Sequence, residues 1–93
     1  MEEIILNARR MTSIEQLHRY IKRKLNLPNY YGRNLDALWD VLSTINNPVC
    51  IKLINIDELY KNLGDYAESF LKVFTDASDE NENLHFEIGN KSE

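Results

Sequence analysis

The sequence predicts an α/β fold, a small two-layer domain in which a three-stranded parallel sheet packs with about four helices. Three observations predict it. Short apolar runs typical of strands lie near the start, the middle and the end of the 93-residue chain. Segments with apolar residues at helical spacing separate these runs, which gives the order β-α-α-β-α-α-β. Strands joined by helical crossovers pair in parallel. A sheet this small can leave one face thinly covered, and the sequence leaves open which face that is.

The first strand and the first helix are marked by local signals. Residues 3–7 (EIILN) form a short apolar run. Overlapping capping boxes start at Thr12 and at Ser13, and an apolar stripe follows them, so a helix is predicted over about 13–26. Pro28 prevents this helix from continuing.

The middle of the chain predicts a second helix, a buried strand and a third helix. Asn34 is a favourable N-cap for a helix over 35–44. Residues 49–54 (VCIKLI) are mostly apolar and β-branched, as in a buried strand. A short helix over 57–63 ends at Gly64, which favours helix termination.

The last third of the chain predicts a long helix and a final strand. Asp65 and Glu68 match a capping box, and an apolar stripe continues from there to Ala77. A polar loop is predicted over 79–83 (DENEN), followed by an alternating strand over 84–88. The length favours one domain over 1–93, in which residues 89–93 are expected to form a loose tail.

Composition and charge exclude several classes of protein. The chain is 43% apolar, and no apolar run approaches the roughly 20 residues of a membrane span. With a single cysteine, Cys50, and no signal-peptide pattern at the start, a cytoplasmic location is expected. Residues 1–34 hold seven basic and three acidic side chains, whereas residues 35–93 hold four basic and twelve acidic ones. This asymmetry favours a basic partner protein for the acidic part of the chain.

The second helix carries the clearest functional pattern. At 100° per residue, Asp36, Asp40 and Ser43 fall on one outward stripe, with Trp39 at its edge. The opposite, core-facing side carries Leu35, Leu38 and Leu42. Asp36 suits the first turn because of the helix dipole. Asp40 repels it at i,i+4 by roughly 0.2–0.5 kcal/mol, so Asp40 is a candidate for a role outside the fold.

Three other side chains are candidates with open interpretations. Tyr30 and Tyr31 precede the helix in its connector, and tyrosine is common at protein interfaces. For Tyr31, contact with a partner and packing beneath the connector are equally supported. Asp76 is predicted to face water near the end of the fourth helix. On the sequence alone it is better interpreted as a solvated surface acid.

The segment 27–40 (LPNYYGRNLDALWD) resembles the barstar family of intracellular inhibitors of the ribonuclease barnase, and weaker agreement extends over nearly the whole chain. The resemblance implies a barstar-like fold and inhibition of a basic, barnase-like bacterial ribonuclease in a 1:1 complex. An immunity protein against a different toxin ribonuclease is the alternative. By the same resemblance, Asp40 matches the carboxylate that enters the enzyme's phosphate site, and Tyr30 matches the ring that packs on its catalytic histidine.

The expected partner-binding residues follow from this resemblance. They are Tyr30, Tyr31, Gly32, Asn34, Leu35, Asp36, Trp39, Asp40, Ser43, Thr44 and Asp76. Three features depart from barstar. Arg33 stands where barstar has an acid, Asp76 replaces a glutamate, and no second tryptophan follows the helix.

Two other functions compete with inhibition. Paired carboxylates can bind a divalent metal or act in acid–base catalysis. However, no nucleophile arrangement or glycine-rich phosphate loop is evident, so no enzymatic activity and no cofactor or metal are expected. Nucleic-acid binding would use the basic residues of the first third of the chain. These residues are Arg9, Arg10, Arg19, Lys22, Arg23 and Lys24. A solvated helix face, with a Glu15–Arg19 pair, is favoured because the chain is acidic overall. Neither a nucleic-acid nor a membrane partner is therefore expected.

Overall fold

Three parallel strands and four α-helices alternate in the predicted order in a computed structural model that describes residues 1–89. The strands are β1 (Glu2–Asn7), β2 (Val49–Ile54) and β3 (Leu84–Ile88). The helices are α1 (Ile14–Lys24), α2 (Leu35–Ser43), α3 (Ile56–Leu63) and α4 (Asp65–Glu80). A short 3₁₀ turn, Ala8–Arg10, follows β1, and the sequence pattern does not indicate it.

The sheet has the order β1-β2-β3, and both pairs of neighbouring strands are parallel. Ile4, Ile51 and Phe86 lie side by side across it. Both crossovers advance in the same direction, so right-handed connections place all four helices on one face. That face carries the core residues of the strands. The other face carries side chains such as Glu3 and Glu87, and it is the thinly covered one.

The fourth helix is longer than the sequence predicts. It continues to Glu80, so the predicted loop over 79–83 begins only at Asn81. The physical reason is that Asn81 lies four residues after the buried Ala77 and extends the inward-facing side of the helix. The predicted capping role of Asp65 is also wrong. Gly64 is the N-cap, and no side chain caps this helix.

The first helix is shorter than predicted and uses the second of its two capping boxes. Ser13 Oγ accepts a hydrogen bond from the backbone N–H of Gln16 at 3.1 Å. The helix ends at Lys24, and Asn26 adopts a left-handed conformation with φ 54°. At the other end of the chain, Gly89 still donates a backbone hydrogen bond to β2, so the expected loose tail does not start there. Residues 90–93, the rest of the predicted tail, lie outside the described part of the chain.

Candidate functional site

The second helix is fixed at its start by the predicted cap. Asn34 Oδ1 accepts a hydrogen bond from the backbone N–H of Ala37 at 2.8 Å, and its Nδ2 donates to the carbonyl of Gly32 at 3.2 Å. One amide therefore ties the connector to the first turn. Leu38 and Leu42 are completely buried on the inner side of the helix. The side opposite to them must face solvent.

Asp36 and Asp40 both lie on this outer side and are exposed. We call these two carboxylates the acidic face. Within residues 1–89 neither of them forms a salt bridge; the ion pairs of that region join Glu15 to Arg19 and Lys72 to Asp76. The negative charge of the acidic face is therefore not neutralised inside the described structure. An exposed pair of unpaired carboxylates on a capped helix is available to a cationic partner.

Ser43 is less exposed than Asp36 and Asp40, the other two members of the predicted outward stripe. Ser43 is half-buried, and its Oγ donates to the backbone carbonyl of Trp39 at 2.6 Å, as hydroxyls near a helix end commonly do. Thr44 is exposed instead, and its Oγ1 donates to the carbonyl of Asp40 at 2.8 Å. Trp39 is half-buried, in agreement with its predicted place at the boundary. A contact of Ser43 or Thr44 with a partner stays a prediction.

The two adjacent tyrosines of the connector have opposite environments. Tyr30 is 88% exposed, whereas Tyr31 is only 6% exposed. Of the two interpretations left open for Tyr31, the burial of the ring agrees with packing beneath the connector. A hollow of about 210 Å³ opens beside the two rings. It is lined by Pro28, Tyr30, Tyr31, Gly32, Ala37, Asp40 and Val41. Asp40 of the acidic face and the exposed Tyr30 thus border one concavity.

A buried hydrogen-bonded cluster holds the connector in place. His18 Nδ1 lies 2.8 Å from the hydroxyl of Tyr31, and His18 Nε2 lies 2.7 Å from the hydroxyl of Tyr66. Burial lowers the pKa of His18, which favours the neutral ring, with one nitrogen donating and the other accepting. Burial also raises the pKa of the Tyr31 hydroxyl, and the neighbouring Tyr66 adds to this. The cluster joins α1, the connector and α4.

Asn81 fixes the far end of α2, and sequence reasoning missed this role. Its Nδ2 donates to the backbone carbonyl of Leu42 at 3.0 Å and to that of Ile45 at 2.9 Å. These carbonyls lie at the end of α2, where helical hydrogen bonding runs out. The only local sign of this role in the sequence is the helical spacing of Asn81 from Ala77. Both ends of α2 are therefore held by asparagine side chains.

The structure places Asp76 on α4, which packs against α2. Its side chain is 47% exposed, and Lys72 Nζ lies 3.2 Å from its Oδ2. Asp76 therefore faces solvent in part, but its charge has a partner within its own helix. The remaining predicted site residues, Gly32 and Leu35, lie in and beside the connector.

The basic residues around α1 are largely engaged within the fold. The predicted Glu15–Arg19 pair is present at 3.1 Å. The guanidinium groups of Arg10 and Arg23 lie 5.7 Å and 5.5 Å from the ring centre of the buried Tyr20. In the described part of the chain, no group of three or more His, Cys, Asp or Glu side chains could hold a metal ion. None of its helices is long and apolar enough to cross a membrane.

Unpaired carboxylates on a helix fixed at both ends, next to an exposed tyrosine of the preceding connector, are typical of the class of protein-binding domains. Comparison with known families makes the assignment definite. A family described as "Barstar (barnase inhibitor)" matches residues 1–89, so the chain belongs to the barstar family. It is an inhibitor rather than an enzyme.

A curated relative agrees with this assignment. The protein is described as "Putative ribonuclease inhibitor YrdF" from Bacillus subtilis (strain 168), and it is 43% identical over 81 residues. The match covers 86% of this chain and 89% of the relative. The chain therefore spans nearly the full length of that protein, and its fold agrees with a barstar-like domain.

Proposed function

We propose that this chain inhibits a basic, barnase-like bacterial ribonuclease by inserting the acidic face into the cationic active site of the enzyme. The observation that carries the proposal is the exposure of Asp36 and Asp40 without an internal ion pair. The relative from Bacillus subtilis is itself described as a "Putative ribonuclease inhibitor". The protein acts in the cytoplasm and forms a 1:1 complex.

The chemistry of the acidic face suits a phosphate-binding pocket. Ribonuclease sites bind the RNA backbone through arginine, lysine and histidine groups. Carboxylates on a helix satisfy the same cations with charge-assisted hydrogen bonds, which are stronger than neutral ones. A cationic pocket facing an anionic helix also attracts it over a distance, which accelerates association; the barnase–barstar pair is the standard example of this effect.

The rigidity of α2 lowers the cost of binding. The capping bonds of Asn34 and the hydrogen bonds of Asn81 hold its two ends before any partner arrives. Fewer degrees of freedom are then lost on association. Tyr30 is exposed next to the same hollow as Asp40, where an aromatic ring can stack on a histidine of the enzyme.

Titration of ribonuclease activity tests the proposal. We expect the wild-type chain to abolish the activity of one member of a panel of bacterial ribonucleases, barnase included, at one equivalent. Asp40→Asn removes one negative charge from the acidic face and should release most of this inhibition. Asp57→Asn removes one negative charge from the exposed start of α3 and serves as the matched control. Equal inhibition by both variants would contradict a specific role for the acidic face.

An immunity protein for a different toxin ribonuclease is the alternative within the same mechanism. The observation that favours it is the exposed Arg33, a cation beside the acidic face. A panel that includes both secreted and contact-delivered ribonucleases separates the two cases. Strong inhibition of barnase would favour the first proposal. Inhibition confined to a toxin ribonuclease would favour the alternative.

A further inference from the structure

We infer that Arg33 determines specificity by pairing with a carboxylate at the rim of the active site of the partner ribonuclease. This inference rests on the proposed function and extends it. It assigns to the partner an acidic group beside a pocket that is otherwise cationic. Arg33 is the only lysine or arginine between Lys24 and Lys52, and it directly precedes the cap of α2.

The backbone at Arg33 is in a conformation that arginine rarely adopts. Its φ is 56°, in the left-handed region that glycine and asparagine occupy most readily. A non-glycine residue is disfavoured there, because its Cβ comes too close to the following carbonyl oxygen. Glycine or asparagine would relieve this cost. The stability of the fold therefore does not explain why an arginine occupies this position.

The neighbours of Arg33 make structural contacts, whereas the Arg33 side chain has no hydrogen bond, ion pair or ring contact within residues 1–89. Asn34 caps α2 and holds the carbonyl of Gly32. A Cβ at Gly32 would lie 3.1 Å from the Cβ of Ala37, so this position is closely packed against the helix. Arg33 is exposed, and within residues 1–89 it forms no salt bridge, not even with Asp36 three residues later.

Electrostatics points to an anion on the partner. A positive charge next to the acidic face weakens its attraction for a cationic pocket. If Arg33 faced that pocket without an anion opposite, it would repel the enzyme. A carboxylate at the rim reverses the sign, because the planar guanidinium group can bind it through two parallel hydrogen bonds. Such a contact would also disfavour ribonucleases that carry a cation at this place.

The test measures association and dissociation rates of four chains with the ribonuclease that the wild-type chain inhibits most tightly in the panel. The variants are Arg33→Gly, Arg33→Lys and Arg33→Glu. We expect Arg33→Gly to unfold at a higher temperature, because the backbone strain is relieved. It should nevertheless bind about tenfold more weakly, chiefly through faster dissociation. Arg33→Lys should keep part of the affinity.

The charge reversal Arg33→Glu distinguishes a partner with a carboxylate opposite Arg33 from a partner without one. With a rim carboxylate opposite, Arg33→Glu binds more weakly than Arg33→Gly. Without it, the added negative charge faces only cations, so Arg33→Glu associates faster and binds more tightly than the wild type, which would overturn the inference. Changing each rim Asp and Glu of the ribonuclease to Ala should identify one residue whose effect disappears in the Arg33→Gly background.

The failure of this inference is distinguishable from the failure of the proposed function. If the wild-type chain inhibits no ribonuclease of the panel, both are wrong. If inhibition is present and depends on Asp40, but Arg33→Glu binds as well as or better than the wild type, only the role of Arg33 is wrong.

Discussion

The acidic face and the cluster around His18 lie on the two sides of one connector and have opposite environments. Asp36 and Asp40 have no partner among residues 1–89, and they are available to another protein. His18 has a hydrogen-bond partner at each ring nitrogen and is only 1% exposed. The border between these regions falls between Tyr30 and Tyr31. Binding and stability are therefore carried by adjacent residues, and single substitutions should separate them.

The largest effect on stability is expected at Tyr31, and its neighbour Tyr30 provides the comparison. Tyr31→Ala removes a buried ring and leaves His18 without one partner, so we expect a loss of about 3–5 kcal/mol in the free energy of unfolding. Tyr30→Ala removes an exposed ring and should change it by less than about 0.5 kcal/mol. Tyr30→Ala should weaken binding to the ribonuclease. Urea unfolding and inhibition assays on both variants measure these effects.

A milder variant guards against complete unfolding. Tyr31→Phe keeps the ring and removes only the hydroxyl, which should cost about 1–3 kcal/mol because a buried nitrogen of His18 loses its partner. If Tyr31→Phe were as stable as the wild type, the cluster would not be what holds the connector.

The next effect concerns Asp40. Asp40→Ala should weaken inhibition by about 2–5 kcal/mol, the range for truncating one partner of a hydrogen-bonded charge pair, of which barnase–barstar is itself a known example. Stability should change by less than about 0.5 kcal/mol, because Asp40 is exposed and has no ion pair within residues 1–89. Isothermal titration calorimetry and thermal unfolding test this. Parallel losses in affinity and stability would place Asp40 in the fold instead.

The local features of α2 could be predicted from the sequence, because its cap and its periodicity involve residues close along the chain. Asn34 caps the helix as predicted, and Asp36 and Asp40 lie on the predicted outer side. The contacts that position the helix could not be predicted. His18 reaches Tyr66 and Asn81 reaches Leu42 across many residues, and only the tertiary structure brings these groups together. The partial burial of Ser43 and the bond of its hydroxyl to the Trp39 carbonyl could not be predicted either, because periodicity gives only a direction.

A smaller effect should come from the helix caps, and the two capped helices provide a matched pair. Asn34→Ala and Ser13→Ala each remove a side chain that accepts a hydrogen bond from the first turn, so each should cost about 0.5–2 kcal/mol of stability. Only Asn34→Ala should also weaken binding, since α2 carries the acidic face. Chemical unfolding and inhibition constants distinguish the two variants. Equal affinity losses would show that global stability, not the placement of α2, limits binding.

The smallest effect is a pH dependence that belongs to the buried region alone. Burial lowers the pKa of His18 below its ordinary value of 6.5, so just below pH 6.5 the unfolded chain binds a proton that the folded chain does not. The contribution of His18 to stability is therefore complete above pH 6.5 and is lost as the pH falls from there through the folded-state pKa. Urea unfolding between about pH 8 and about pH 5.5 should show this decline, and His18→Gln, which does not titrate, should reduce it. An identical slope in the wild type and in His18→Gln would assign the decline to groups outside the cluster.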